Sequence, residues 1–309
     1  MRLTLDPELH PPPAPALMQQ CPEYGRALRA IGVKVHTARI VSGADVMAQA
    51  LVVERRFGPL RVSWIPRGPV CAPTLGPETG IAIYRALRRA RPHDLWLIGG
   101  TPAERAQLAS AGCRQLARAQ HHALLDLRAP SADRFASLHG KWRNRLRAAR
   151  RTGLVIRERA FDPLLDAGML ARERVQRRAL GYRGLPAAFT TAYASQTPGA
   201  ARLWSAWEAS HCIATMLILT HDRTATYHIG WSGGRGRALS AHHLLLWQIS
   251  EHLARRGFAW LDLGLIDAQH LPGLTRFKQR SGATVAPGDA TYVGLPRFAL
   301  FHRRHTCAA

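Results

Sequence analysis

The sequence predicts an α/β (α+β) fold with two domains, each a mixed, mostly antiparallel sheet flanked by helices. The 309 residues are enough for two domains of about 150 residues each. Strand-like and helix-like segments alternate through the first half, and three successive strand-like segments in the second half predict an antiparallel meander. A linker over 128–132 contains a proline, so we predict an N-terminal domain over residues 1–130 and a C-terminal domain over 131–309.

The elements of the first half follow from periodicity and from the positions of proline. Helical periodicity over 16–31 is expected to break at Pro22. Within 64–70, Pro66 and Pro69 remove backbone donors, so the sheet should be interrupted there. The other predicted elements are strands over 33–40, 47–54, 60–65, 95–98 and 121–127 and helices over 77–91 and 102–112.

The second half is predicted to begin with two helices and to continue with the meander. Ser131 starts a helix whose apolar residues recur every three or four positions up to Gly153. A glycine-rich turn over 232–237 leads to Ser240, a good N-cap residue for the next helix. The other predicted elements are a helix over 163–180, strands over 201–208, 211–220, 224–231 and 258–263, helices over 241–256 and 272–280, and strands near Thr284 and Tyr292.

The charge of the chain is strongly positive and is carried by arginine. The formal net charge is +23, with forty arginines and only three lysines. Such a surface attracts phosphates, nucleic acid or an anionic membrane face, although a coding bias toward arginine would also produce it. Six cations without an interleaved acid lie near the end of the 131–153 helix, where they form either a solvated face or an anion-binding group: Lys141, Arg143, Arg145, Arg147, Arg150 and Arg151.

Several classes of protein are disfavoured by composition. Five scattered cysteines without a Cys-x-x-Cys pair predict neither a disulfide framework nor a zinc site, and the paired histidines lack an acidic partner, so we assign no metal. No run approaches the ~18 apolar residues of a membrane span. The first residues hold two acids and a proline run instead of an apolar signal core, so we expect a cytoplasmic protein.

Four segments resemble the Fem-type aminoacyltransferases and their FemAB-like relatives, a family within the GNAT acyltransferase superfamily. The resemblance implies two tandem GNAT-like domains and transfer of an acyl or aminoacyl group. The four segments occur in the order of the family and are Leu-Met-Gln-Gln-Cys-Pro-Glu-Tyr-Gly over 17–25, Ile-Pro-Arg-Gly-Pro-Val over 65–70, Lys-Trp-Arg-Asn-Arg-Leu-Arg-Ala-Ala over 141–149, and Leu-Asp-Leu-Gly over 261–264 followed by Gly-Leu-Thr-Arg-Phe-Lys over 273–278.

The resemblance also implies roles for individual residues. Phe277 and Lys278 match the Phe-Lys pair of the family, whose lysine stabilises the charged intermediate of acyl transfer. Arg143 matches a helix arginine that contacts phosphate or substrate. The loop with Gly233 and Gly234 lies where GNAT enzymes bind the pyrophosphate of coenzyme A, although the usual Arg/Gln-x-x-Gly-x-Gly/Ala signature is not legible. The remaining predicted binding residues are Lys141, Asn144, Arg67, Arg177 and Tyr182.

Acyl transfer to an amine explains these residue types on chemical grounds. The reaction passes through a tetrahedral oxyanion, and a preorganised cation there contributes about 3–4 kcal/mol to transition-state stabilisation. Lys278 on a short helix can supply that charge. The attacking amine must also lose a proton, for which Asp262, Tyr227 and Glu208 are candidates, and none of them is singled out.

The predicted reaction leaves the donor and the acceptor open. The co-substrate is either acyl-CoA or an aminoacyl-tRNA, and no tightly bound cofactor is expected. The acceptor amine belongs to a small molecule, a lipid or a peptide held between the two domains, tRNA is a candidate partner, and the basic surface allows peripheral contact with an anionic membrane.

Two other functions are compatible with the sequence. Gly-Trp-Ser-Gly-Gly over 230–234 matches Gly-x-Ser-x-Gly, and Asp262 and His270 follow in the order of an α/β-hydrolase. That fold needs a helix to begin at Ser232 and several further strand-helix units, which the pattern does not provide. The second alternative is a non-catalytic protein that binds RNA or another anion on a GNAT scaffold.

Overall fold

The structure, a computed structural model, describes residues 1–73, 75–182 and 184–296. Its strands are β1 (Arg2–Asp6), β2 (Val35–Ser42), β3 (Asp45–Phe57), β4 (Leu60–Ile65), β5 (Val70–Cys71), β6 (Leu95–Gly100), β7 (Arg114–Ala117), β8 (His121–Asp126), β9 (Val155–Ala160), β10 (Ala201–Glu208), β11 (His211–His221), β12 (Thr224–Ser232), β13 (Trp260–Ile266), β14 (Thr284–Pro287) and β15 (Ala290–Gly294). Its α-helices are α1 (Pro22–Ala30), α2 (Pro77–Ala90), α3 (Arg105–Ser110), α4 (Ser131–Ser137), α5 (Gly140–Arg150), α6 (Ala167–Leu180), α7 (Ala187–Gln196), α8 (Gly234–Ala238), α9 (Ala241–Arg255) and α10 (Pro272–Gln279).

The strands form two mixed sheets. In the first sheet the order is β1-β2-β3-β4-β6-β15-β7, with β5 paired to β3, and only β4 and β6 run parallel. In the second sheet the order is β14-β8-β13-β12-β11-β10-β9, and only β12 and β13 run parallel. The predicted fold class is confirmed, since each sheet is mostly antiparallel and flanked by helices.

The sheets exchange strands across the predicted domain boundary at residue 130. β8 precedes the boundary but pairs with β13 and β14 of the second sheet. β15 follows the boundary but pairs with β6 and β7 of the first sheet. The division of the chain at residue 130 therefore does not coincide with the division between the sheets. A strand belongs to the sheet whose strands it is hydrogen-bonded to, and here those strands are distant in sequence.

Three predicted local features differ from the structure. The helix expected over 131–153 is two helices, because Leu138 adopts an extended conformation between α4 and α5. The glycine-rich turn contains the short helix α8. Ser240 has a left-handed backbone (φ 54°), and its side chain makes no capping hydrogen bond to α9.

Five further elements escaped the sequence patterns: β1, β5, β7, β9 and α7. The sequence of β9, Val-Ile-Arg-Glu-Arg-Ala, has little apolar alternation, since it lies at the edge of its sheet and remains largely exposed. α7 is held by packing of Phe189 and Tyr193 in a buried cluster with Tyr24 of α1, which no pattern within α7 reveals.

A buried cluster joins the two sheets. Leu51 and Val53 of β3 belong to the same core as Leu217 and Leu219 of β11, and α1 and α7 pack within it. This contact brings the turn after β4 toward β13, where Arg67 of the turn meets Asp262. No helix in the described ranges is long and apolar enough to cross a bilayer.

Candidate functional site

The second sheet opens between β12 and β13. The two strands pair in parallel only over Thr224–Thr226 and Trp260–Asp262. Beyond that point β12 continues to Ser232 along β11, and β13 continues to Ile266 along β8. The facing edges of the two strands therefore leave backbone N–H and C=O groups that a ligand can pair with. We call this opening the fork.

Asp262 is the last residue of β13 before the fork, and its carboxylate is buried among donors. Oδ2 accepts a hydrogen bond from Nη1 of Arg67 at 2.7 Å, and Oδ1 accepts one from the Gly264 amide at 2.7 Å. Nδ1 of His122 lies 3.8 Å from Oδ1. Burial alone would raise the pKa of Asp262, but the His122 ring and the Arg67 guanidinium hold that pKa well below its usual range.

Arg67 reaches this carboxylate from the other sheet, out of the turn between β4 and β5. Its backbone is left-handed (φ 54°), and its side chain also donates to Nδ1 of His122 and lies 3.9 Å from Oδ2 of Asp289. A Cβ atom at Gly99 would lie 2.6 Å from the Arg67 nitrogen, so the turn can approach β6 this closely only over a glycine. Arg67 thus ties the first sheet to the fork.

Gln20 holds the turn that carries Arg67. Its Nε2 donates to the Pro66 carbonyl at 2.5 Å, and its Oε1 accepts from the Leu51 amide at 2.8 Å. Both bonds are buried, so each is costly to lose. The first segment of the FemAB-like resemblance therefore positions the second.

Replacement of Gln20 by alanine is expected to destabilise the protein by about 2 kcal/mol, because the Leu51 amide and Pro66 carbonyl lose their buried partner. Urea unfolding measures the change. The neighbouring Gln19→Ala provides a matched control, since no hydrogen bond of its side chain holds this turn. Equal destabilisation by the two variants would contradict the role given to Gln20.

Lys278, on α10, places its ammonium next to the fork. The residue is only 6% exposed, and Nζ donates to the Leu265 carbonyl of β13 at 2.9 Å. Burial lowers the pKa of Lys278 to about 8, and the charge of Asp262 opposes that shift. At neutral pH the side chain is a buried cation with N–H donors beyond the one used by Leu265.

Phe277 anchors α10 so that Lys278 has a fixed position. Its ring centroid lies 5.9 Å from that of Trp142 on α5 and 5.2 Å from that of His243 on α9. Trp142 and His243 also contact each other, with centroids 4.9 Å apart. The aromatic contact joins the third segment of the resemblance to the fourth.

A second polar group lies on the β12 side of the fork. Tyr227 is the first residue of β12 inside the fork, directly after the last residue that pairs with β13. Burial raises the pKa of its phenol above the usual range. A Cβ atom at Gly230 would lie 1.8 Å from the Tyr227 hydroxyl, so the ring occupies space that only glycine leaves free. Gln176 of α6 donates to the Gly230 carbonyl at 3.0 Å.

The same group contains Glu173, which sequence reasoning missed. Its Oε1 accepts from the Tyr182 hydroxyl at 3.5 Å and lies 3.6 Å from Nε of Arg177. Tyr182 in turn neighbours Tyr227. The structure therefore brings two predicted residues, Tyr182 and Arg177, together around one buried carboxylate. His122 was also missed, and no local pattern distinguishes either residue.

Arg143 is engaged within the protein. Its Nη2 donates to the carbonyls of Ala136 and Leu138, at 2.8 and 2.9 Å, which end α4. Lys141 and Asn144 on the same helix are exposed. The predicted contact of these three residues with donor or substrate stays a prediction.

The glycine-rich segment is packed on β11. The Gly233 amide donates to the Ile213 carbonyl at 3.0 Å, and Gly234 begins α8. Arg235 forms a two-point ion pair with the exposed Glu208, whose pKa is lowered by that hydrogen bonding. Phosphate binding by Gly233 and Gly234 stays a prediction. Glu208, a candidate base, already accepts hydrogen bonds from Arg235 through both carboxylate oxygens.

The residues of the hydrolase alternative do not form a relay. Ser232 Oγ bonds the Gly233 carbonyl at 3.4 Å, and His270 Nδ1 bonds Asp267 at 2.9 Å. Asp262 is held by Arg67 and Gly264 instead. A hydrolase needs serine, histidine and acid in one hydrogen-bonded chain, which the described residues do not contain.

Comparison with known proteins agrees with this architecture. Residues 136–279, which include Tyr227, Asp262 and Lys278, match the family model described as an acetyltransferase (GNAT) domain. Residues 136–279 are therefore similar to a GNAT domain. Over most of its length the fold is similar to that of FemX, with a TM-score of 0.76 at 11% identity, covering 91% of this chain and 93% of that one. The predicted FemAB-like GNAT fold is confirmed.

Two other solved structures are similar in fold over most of the chain. L-PGS from Bacillus licheniformis has a TM-score of 0.54 at 13% identity, with 95% of each chain covered. A tandem GNAT protein from the clavulanic acid biosynthesis pathway has a TM-score of 0.56 at 12% identity, covering 93% of this chain and 91% of that one. No curated protein sequence matches this chain significantly.

Proposed function

We propose that this GNAT protein transfers an acyl or aminoacyl group from an activated donor directly to an amine acceptor at the fork. The observation that carries the proposal is the buried ammonium of Lys278, fixed to the Leu265 carbonyl where β12 and β13 separate. Unpaired strand edges there can bind an extended donor through backbone hydrogen bonds, as an added strand does. A cation at the same point can stabilise the carbonyl oxygen that becomes negative.

The proposed reaction begins with attack of the acceptor nitrogen on the donor carbonyl carbon. The carbonyl π electrons move to oxygen, and the resulting oxyanion accepts a hydrogen bond from Lys278. Collapse of this intermediate breaks the bond to the leaving group, which is a thiolate for acyl-CoA or a ribose alkoxide for aminoacyl-tRNA. The acceptor nitrogen loses one proton, and the leaving group gains one.

We assign Tyr227 to protonation of the leaving group, after which its phenolate takes up the proton that the acceptor nitrogen releases. Burial keeps its phenol neutral, so it is a proton donor and a poor base. Asp262 is a poor base too, because the His122 ring and Arg67 hold its pKa low. We assign Asp262 to positioning, since its charge favours the ammonium form of Lys278 and its hydrogen bond fixes Arg67. Glu173 and Arg177, with Tyr182, would orient a polar group of the acceptor or donor.

Direct transfer is favoured because the described cysteines are not activated. Burial raises the pKa of Cys21, Cys113 and Cys212, and it raises that of Cys71 to about 11. A thiol in that state is a weak nucleophile at neutral pH. We therefore propose no covalent enzyme intermediate.

The donor is proposed to be acyl-CoA or an aminoacyl-tRNA, both of which are cytoplasmic, and we propose that the protein acts there. Support for tRNA comes from α5, where Lys141, Arg145, Arg147 and Arg150 are exposed and have no ion pair among the described residues. Such a face can neutralise RNA phosphates.

Native mass spectrometry of freshly purified protein distinguishes the two possible donors, because it detects a bound coenzyme A ester or a bound tRNA. Failure of any coenzyme A ester or charged tRNA to donate to any amine would refute acyl transfer.

The rate of transfer at saturating substrate is expected to fall as pH rises through about 8, because Lys278 then loses the proton that stabilises the oxyanion. The direction of this change and its pH range follow from the lowered pKa of Lys278. The side chain is protonated below that pKa and neutral well above it. Lys278→Arg keeps its charge over this range, so any activity it retains should lack the descending limb. A rate that rises through pH 8 only when Lys278 is present would instead identify it as a base.

A further inference from the structure

The outer surface of α6 and the segment before it exposes large apolar side chains. Leu164, Leu165 and Val175 are 88%, 79% and 67% exposed, the highest values among large apolar residues in the described chain. Leu180 at the end of α6 is 50% exposed. Concentration of such residues in one short segment marks an interaction surface. We call residues 164–180 the α6 surface.

The buried side of α6 mixes apolar and polar residues. It includes the buried Met169, Leu170 and Glu173 and the half-buried Gln176, and the last two serve the polar group beside Tyr227. The outward side of α6 holds small or apolar residues at helical spacing, namely Gly168, Ala171, Val175 and Ala179. This stripe offers water no polar side chain between the flanking arginines, so something other than water is expected to cover it.

The two leucines are held in place by their backbone. Oδ1 of Asp162 accepts hydrogen bonds from the Leu164 and Leu165 amides at 2.8 and 3.0 Å. Asp166 bonds the Asp162 amide at 2.9 Å and pairs with Arg159. The turn therefore presents both side chains to solvent in a fixed arrangement.

Arginines flank the apolar residues on both sides. Arg172 lies on one side, where its guanidinium is 5.0 Å from the Trp231 ring, and Arg174 and Arg178 lie on the other. Arg174 and Arg178 form no ion pair within the described ranges, and the exposed positions of α6 include no carboxylate. The nearby Asp162 uses one carboxylate oxygen on backbone amides.

We propose that the α6 surface docks on an anionic lipid bilayer. Leu164, Leu165 and Val175 would enter the boundary between headgroups and acyl chains, and the flanking arginines would bind lipid phosphates. An apolar protein partner could cover the leucines, but the uncompensated arginines favour a surface dense in phosphate. Because the inner side of α6 contacts the β12 edge of the fork, this orientation places the candidate site close to the bilayer.

The test is co-sedimentation of the full chain with vesicles that contain phosphatidylglycerol in phosphatidylcholine. We expect binding at moderate salt, and Leu164→Ser with Leu165→Ser should weaken it about tenfold or more. Arg174→Gln with Arg178→Gln should weaken it about fivefold per arginine. All four side chains are exposed, so thermal unfolding should show that the variants remain folded.

Two matched controls separate this surface from the overall charge of the protein. Leu116→Ser removes a 63% exposed leucine from β7, and Arg55→Gln with Arg56→Gln removes two exposed charges from β3. Both controls should change binding by less than about twofold. Absence of vesicle binding, or equal weakening by controls and α6 variants, would overturn the proposal. Self-association that depends on Leu164 and Leu165 in the absence of lipid would overturn it in favour of a protein partner.

Discussion

Lys278→Met is expected to lower kcat for acyl transfer by about 10²–10³-fold, because the oxyanion loses its preorganised cation. The same change should leave the fold intact, since methionine fills a similar apolar volume between α10 and β13. Measured kcat with the donor found by mass spectrometry checks the loss. Lys34→Met makes the same substitution at an exposed lysine and should leave kcat unchanged. A Lys278→Met enzyme with normal kcat would contradict the proposed role.

The same variant is expected to be more stable than the parent at pH 7. Burial lowers the pKa of Lys278 from 10.5 to about 8, which corresponds to a cost of about 3 kcal/mol for burying the charge. Loss of the hydrogen bond to Leu265 offsets about 1–2 kcal/mol of the gain. Between pH 8 and 10.5 the folded state has released the proton that the unfolded state still holds. The cost of burying the charge therefore fades as pH rises through that window. Urea unfolding at both ends of the window measures it.

Arg67→Met is expected to destabilise the protein by about 3–5 kcal/mol, because it leaves the buried Asp262 carboxylate without its guanidinium partner. Asp262→Asn in the same chain removes the stranded charge and should recover much of the loss. Activity should fall in both variants, since Arg67 connects the first sheet to the fork. Free energies of unfolding from urea titrations, in a double-mutant cycle, provide the comparison.

A surface ion pair serves as the control for this cycle. Arg235 pairs with Glu208 through two hydrogen bonds, but both side chains are exposed. Arg235→Met should therefore cost less than about 1 kcal/mol. If Arg67→Met costs no more than Arg235→Met, Asp262 does not depend on Arg67, and the connection between the sheets must come from apolar packing.

Local patterns were enough to predict much of the second half and one break in the first. The meander, the helix 272–280 and the interruption at Pro66 and Pro69 each depend on a few adjacent residues, and the structure contains all three as β10 to β12, α10 and the turn after β4. The helix break at Leu138 was not predictable, because Arg143 donates to the carbonyls that end α4 only once both helices have packed.

The sequence by itself determined which residue was exceptional. It is Lys278, one of three lysines in a chain with forty arginines, next to Phe277 in a segment similar to that of FemAB-like proteins. Only the tertiary structure decided what surrounds it. Arg67 and Asp262 are 195 residues apart in sequence, and their contact depends on packing between two sheets that exchange strands. Periodicity and capping report interactions within a few turns of chain, whereas strand pairing and buried charge pairing join distant segments. The fork and its buried charges therefore became visible only in the folded chain.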